Sequence, residues 1–203
     1  MSRWAWLLLI PWLSGCSLLP GATEPVDREH RHLLDWQPRG PAPAAPPGAP
    51  VLAVAPPVAA PGHAGSDMLY SRGDTELHRF AWHRWADAPA RLLEPLLVRA
   101  AERSGCCRQV VPPGVPAQAE LRLDTRLLEL QQRFAGDRCE VRLAVRVLLL
   151  DNRSGRVIAS RLFRYGAPCA SPDPVGGART ANLLVARFLE ALQGFLASAI
   201  PAS

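Results

Sequence analysis

The sequence contains no lysine, and this absence limits what its net charge can mean. All 23 basic residues are arginine, and against 18 acidic residues they give a formal charge of +5. With abundant Ala, Pro and Leu, this indicates a GC-rich coding bias. Nucleic-acid-binding proteins concentrate basic residues on one face or helix, whereas arginine here alternates with acidic residues. We therefore expect no nucleic-acid partner, and only modest attraction to anionic lipid or an acidic protein.

The chain also lacks the motifs of enzymes and metal proteins. It has no Gly-x-Ser-x-Gly elbow, no His-Glu-x-x-His and no phosphate-binding loop. His63, His78 and His83 stand in no recognisable arrangement with Ser, Cys or Asp. His30 and His32 have no second pair of ligands nearby in the sequence, so they are interpreted as solvated linker residues. The sequence predicts neither catalysis nor a metal site.

The N-terminal apolar run is too short to cross a membrane. It spans residues 4–12 after Arg3, well below the ~20 residues that a spanning helix needs. It ends in the sequence Leu13-Ser14-Gly15-Cys16. This resembles a bacterial lipobox, the site at which signal peptidase II cuts before a lipidated cysteine. We expect residues 1–15 to be a lipoprotein signal peptide and Cys16 to carry a diacylglycerol and an N-acyl chain; the alternative is an ordinary secretory signal.

A lipidated Cys16 would hold the protein on a membrane outside the cytoplasm, because each buried methylene contributes ~0.8 kcal/mol. Ser17, rather than Asp, follows the cysteine. By the enteric sorting rule, this predicts the periplasmic face of the outer membrane. No cofactor is expected beyond the acyl chains.

Composition divides the rest of the chain into a tether and a domain. Residues 16–49 are polar and then rich in Pro and Ala, so we expect a disordered tether that would reach ~100 Å if fully extended. Residues 50–203 form one periplasmic domain. Strands of alternating polarity and two amphipathic helices predict an α/β, α+β-like fold, in which a mixed or antiparallel twisted sheet of five to six strands carries both helices on one face.

Several local signals place the predicted elements. Residues 121–127 and 141–149 alternate apolar and charged side chains, and 151–155 is a hairpin loop. Asp87 is the predicted N-cap of the first helix, which contains Pro95. That helix is therefore either kinked or regular only from Pro95 onward.

The hairpin register suggests a disulfide. If Val145 faces Phe163, the same register places Cys139 opposite Cys169, within disulfide reach. Arg161 on the same nominal face and Pro168 near the strand end count against it. Cys106 and Cys107 remain, either as buried free thiols or as a vicinal bond.

Trp82 and Trp85 form the candidate partner interface. In an extended segment they point to opposite faces, so one side chain would be buried while the other anchors a partner. Alternatively, both fill the junction between the sheet and the first helix.

The chain resembles the ABC-type transport auxiliary lipoproteins, the PqiC-like family. The resemblance rests on the lipobox, the Pro-rich tether, residues 50–54, Tyr70, residues 85–89, residues 92–105 with Val110, and Ala181-Asn182. It implies a non-enzymatic docking component for a system that moves lipid between the two membranes.

The implied partners are an MCE-domain protein and an ABC permease or ATPase, and the implied assembly is a ring-shaped homo-oligomer. Two alternatives stay open from the residues: a lipid carrier with its own acyl-chain pocket, and a structural envelope lipoprotein.

Overall fold

A computed structural model describes residues 29–73 and 75–200. The signal peptide, Cys16 and the start of the tether lie outside the described residues. The described chain forms these strands and helices: β1 His30–His32, β2 Val51–Val54, β3 Val58–Ala59, β4 Asp67–Arg72, β5 Leu77–Trp85, α1 Pro89–Glu102, β6 Gln109–Val111, β7 Leu121–Ala135, β8 Arg138–Asp151, β9 Val157–Pro168 and α2 Pro174–Ala199.

The sheet is mixed and has nine strands, so the prediction of five to six strands is wrong. β7, β8 and β9 form an antiparallel meander. The long strand β7 also pairs in parallel with β2, β3 and β4 along its opposite edge. The undercount arises from the two- and three-residue strands β3 and β1, which are too short to show a period in the sequence.

Both helices and one face of the sheet enclose a single hydrophobic core, as the alternating strands predict. Phe163 from β9 meets Phe188 and Phe195 of α2 edge to face. α2 also approaches β7 closely, because a Cβ on Gly177 would overlap the amide of Gln132. Glycine at this position lets the helix lie against the strand.

The start of α1 differs from the prediction. Ala88, not Asp87, is the N-cap residue, and no side chain caps the helix. The Asp87 carboxylate accepts hydrogen bonds from the Ala88 amide and from the Arg91 guanidinium one turn later. Pro95 lies inside a helix that is already regular from Pro89, so the alternative in which regularity begins only at Pro95 is wrong.

The segment before β2 is ordered, which corrects the expected tether for residues 29–49. β1 pairs in parallel with the end of β5. Leu34 and Trp36 then enter the core, where they are 6% and 5% exposed. We call residues 29–40 the arm. Its two large apolar side chains and its backbone contacts fix the arm, although the polar and Pro-rich composition of the whole segment predicts disorder.

Candidate partner-docking surface

The two tryptophans of β5 have opposite environments. Trp85 is 4% exposed and belongs to the core, whereas Trp82 is 55% exposed. The alternative in which both side chains fill the sheet–helix junction is therefore wrong. Trp82 has the exposure required of an interface anchor.

Trp82 lies beside an open strand edge. β4 pairs with β5 on one side, and on the other side β1 covers only residues 83–85. Within residues 29–73 and 75–200, no strand pairs with the second edge of residues 77–81. Leu77, at the start of this edge, is 44% exposed. An open edge with exposed apolar side chains at both ends can accept an added strand from another protein.

The arm is held across both helices by side chains that hydrogen-bond to its backbone. The Asn182 amide of α2 donates to the Leu33 carbonyl at 3.0 Å and accepts from the Asp35 amide at 2.7 Å. The Arg99 guanidinium of α1 donates to the Trp36 carbonyl at 2.8 Å. Asn182 and Arg99 therefore fix the backbone of the arm, although they lie more than 60 residues away in sequence.

Three histidines lie where β1 meets β5. The rings of His30 and His32 both stack on His83, and His32 Nε2 lies 3.0 Å from His83 Nδ1. His30 and His32 are thus part of the packed arm, which corrects their interpretation as solvated linker residues. Burial lowers the pKa of His32, and the neighbouring His83 and His30 lower it further. Burial and His30 also lower the pKa of His83, against a smaller opposing effect of Asp173.

Arm docking is therefore expected to weaken in acid. A lowered histidine pKa means that the docked state binds fewer protons than the detached state, so protonation does not oppose docking well above the unperturbed pKa of about 6.5 and weakens it as the pH falls through that value. Amide hydrogen exchange of residues 30–37, corrected for the intrinsic pH dependence, should show lower protection at pH 5.5 than at pH 7.5. A His32→Gln variant should show a smaller difference. Equal protection of the wild-type arm at both pH values would contradict this expectation.

Cys139 and Cys169 are bonded to each other, with Cα atoms 5.3 Å apart. The predicted register is confirmed, because Val145 faces Phe163 and Leu149 faces Ala159. Pro168 does not end the ladder early; it still lies opposite Glu140. The disulfide ties the end of β9 to β8 just before α2 begins.

Cys106 and Cys107 are free thiols, the first of the two alternatives. Their Sγ atoms lie 2.9 Å apart, and Ser104 Oγ donates to Cys106 Sγ. The hydrogen bond from Cys107 lowers the pKa of Cys106 to about 7, with a smaller contribution from Ser104. The same hydrogen bond, with burial, raises the pKa of Cys107. The contact therefore favours loss of the first proton from the pair and opposes loss of the second.

Two further observations concern membranes and metals. Among the described residues, neither helix combines the length and apolarity that crossing a bilayer requires. In the same part of the chain, no three His, Cys, Asp or Glu side chains are grouped so as to hold a metal ion.

The space between α2 and the sheet is nearly filled. The void lined by Met68, Trp85, Leu130 and Ala181 has a volume of about 10 Å³. This is about the volume that one water centre requires, whereas ligand pockets typically measure about 300–1,000 Å³. The space at this position does not accommodate an acyl chain.

Comparison with known proteins identifies the family. The family model described as the ABC-type transport auxiliary lipoprotein component matches residues 32–192. The chain belongs to this family. The match begins within β1 and continues into α2, so it includes the arm as well as the domain predicted from residue 50. No curated protein matches the sequence.

Solved structures share the fold of this family member. A Xanthomonas campestris protein has a TM-score of 0.67 at 24% identity, with 78% of this chain and 93% of that chain covered. An uncharacterized protein has a TM-score of 0.65 at 15% identity, with 83% and 99% covered.

Proposed function

We propose that this protein is a lipoprotein, anchored through Cys16 on the periplasmic face of the outer membrane, that docks an ABC-type lipid-transport system carrying an MCE-domain protein. The observation that carries the proposal is the family match over residues 32–192. The lipobox at residues 13–16 supports the anchor, and Ser17 supports the outer membrane. The protein acts by binding other proteins and has no catalytic role.

The packing of the core favours docking over lipid carriage. A carrier would need a cavity for an acyl chain, and the void between α2 and the sheet measures only about 10 Å³. The edge of β5 along residues 77–81, which no described strand covers, instead offers backbone groups and the half-exposed Trp82 to a partner. This edge is the proposed contact with the transport system.

Crosslinking in intact cells tests the function directly. The crosslinked protein is extracted in detergent and the proteins and lipids recovered with it are identified by mass spectrometry. An MCE-domain protein or an ABC permease is the expected partner. Stoichiometric phospholipid without a protein partner would overturn the docking function in favour of lipid carriage. In a separate measurement, light scattering of the extracted protein gives its oligomeric state, and we expect a homo-oligomer.

Trp82→Ala is expected to reduce recovery of that partner at least tenfold. Interface tryptophans commonly contribute 2 kcal/mol or more, and 1.4 kcal/mol corresponds to tenfold in affinity. Val115→Ala is the matched control, because Val115 is 53% exposed in the loop before β7. Both variants should retain the wild-type melting temperature. If the folded Trp82→Ala variant recovers as much of the partner as the wild type does, this edge of β5 is not the contact.

A further inference from the structure

The sheet face opposite the helices carries two arginines placed directly across from each other. Arg126 of β7 pairs in register with Arg146 of β8. Arg164 of β9 lies diagonally from Arg146, because Ala144 faces Arg164 and Arg146 faces Leu162. All three arginines are exposed. Like charges directly opposite each other destabilise a strand pair, so the sheet itself gains nothing from this arrangement.

Nearby arginines on the same face have acidic partners. Arg122 binds Asp124 with an Nε–Oδ1 distance of 2.8 Å, and Arg142 binds Glu140 at 3.2 Å. Arg126 and Arg146 have neither an ion pair nor a side-chain hydrogen bond within the described part of the chain. Two exposed arginines in register are therefore without an acidic partner among the described residues.

Apolar side chains flank the arginine pair in a shallow groove. The groove has a volume of about 580 Å³ and is open to solvent. Its apolar lining includes Val58, Leu128 and Leu148, together with Ala55 and Pro56, and Val58 is 49% exposed. The Arg122–Asp124 ion pair also lines the groove. The groove thus combines two arginines without ion-pair partners among the described residues and an apolar lining. We call it the arginine groove.

We propose that the arginine groove binds an acidic, extended segment of a partner protein. Each carboxylate would accept paired hydrogen bonds from Arg126 or Arg146, a geometry that guanidinium groups favour. Apolar side chains two residues from each carboxylate, on the same face of the extended segment, would cover Val58, Leu128 and Leu148. No aromatic side chain lines the groove, so it lacks the stacking surface with which proteins hold single-stranded nucleic acid.

A protein segment fits the arginine groove better than a phospholipid does. The groove lies on an open sheet face, whereas ligand pockets enclose most of a small ligand's surface. An extended segment can lie along the strands and satisfy both arginines at once. The proposal rests on the proposed function only in requiring a protein partner. Peptide binding tests the groove without the transport system, so the two can fail separately.

The test is binding of a fluorescein-labelled ten-residue peptide of Glu-Ser-Leu-Ser repeats, which places Glu and Leu on the same face of an extended segment, measured by anisotropy. The Arg126→Ala/Arg146→Ala variant is compared with Arg153→Ala/Arg187→Ala, which removes two exposed arginines from the β8–β9 loop and from α2. The arginine-groove variant is expected to bind at least tenfold more weakly, and the control within twofold of wild type. Replacing every Glu of the peptide by Gln should abolish binding to the wild-type protein.

Three outcomes would overturn the proposal. Equal loss in both variants would show attraction to net charge alone, and unchanged binding by the arginine-groove variant would exclude the groove. If the arginine-groove variant no longer co-sediments with phosphatidylcholine–phosphatidylglycerol vesicles but still binds the peptide, the two arginines bind lipid rather than a protein segment. Folding is checked by thermal melting. The arginine-groove variant should melt no lower than wild type, because its substitutions remove a like-charge pair.

Discussion

Phe188→Ala is expected to lower the free energy of unfolding by about 3–5 kcal/mol. Phe188 is fully buried in α2, and its ring meets that of Phe163 at a centroid distance of 5.2 Å. Truncation removes the ring from the core and leaves a cavity between the helix and the sheet. Because domains have a total stability of about 5–15 kcal/mol, the variant should show a much lower urea midpoint. Urea denaturation followed by circular dichroism measures the change.

Leu183→Ala on the same helix is the control. Leu183 is 60% exposed, so its truncation should change the free energy of unfolding by less than about 0.5 kcal/mol. Similar losses in the two variants would show that burial of the side chain does not determine the effect, because alanine has the highest helix propensity and neither substitution lowers it. A loss below about 1 kcal/mol for Phe188→Ala would contradict the packing of α2 described above.

Removing the Cys139–Cys169 disulfide should lower the free energy of unfolding by about 3–4 kcal/mol. The two cysteines are 30 residues apart in sequence, and closing a loop of that length in the unfolded chain accounts for this magnitude. The Cys139→Ala/Cys169→Ala variant and the reduced wild-type protein should therefore have similar urea midpoints. Both should fall below that of the oxidised wild type.

The remaining cysteines supply the control for that experiment. Cys106→Ala/Cys107→Ala keeps the disulfide, so adding reductant should still destabilise this variant. Reductant should have no effect on the variant without Cys139 and Cys169. Peptide mapping without reduction that finds Cys139 as a free thiol would show that the bond is absent.

The part of the fold best predicted from sequence is the meander of β7, β8 and β9. Alternation of apolar and charged residues identifies the strands, and a single hairpin loop at 151–155 fixes the register between β8 and β9. That register brings Cys139 opposite Cys169 without any knowledge of the remaining strands. Local patterns suffice here because the paired strands are adjacent in sequence.

The parallel pairings could not be predicted in the same way. β7 pairs with β2, β3 and β4, which come from three separate segments. No turn sets those registers. The arm was missed for a related reason: its ordering depends on Leu34, Trp36 and a few helix side chains within a segment of disorder-like composition. A pair of large apolar residues inside a supposed tether is the signal that could have revealed it.

The candidate surface was predicted only in part. The spacing of Trp82 and Trp85 predicts that an extended strand separates them into a buried and an exposed side chain. The sequence does not reveal that the pairing of β1 with β5 begins at residue 83, so that no strand among the described residues covers residues 77–81. The arginine groove also depends on register, because Arg126 and Arg146 meet only when β7 and β8 are aligned.

The docked arm shortens the tether between the proposed membrane anchor and the folded protein. With Cys16 as the proposed lipid-bearing residue, 13 residues separate it from residue 29, where the described structure begins, and 13 residues extend at most about 45 Å. A free tether through residue 49 would reach roughly twice as far. Because the arm joins β5 at residue 83, this tether length would also limit the distance between Trp82 and the membrane. If the proposed anchor and docking edge are correct, a partner that binds this edge has to reach within that distance of the bilayer.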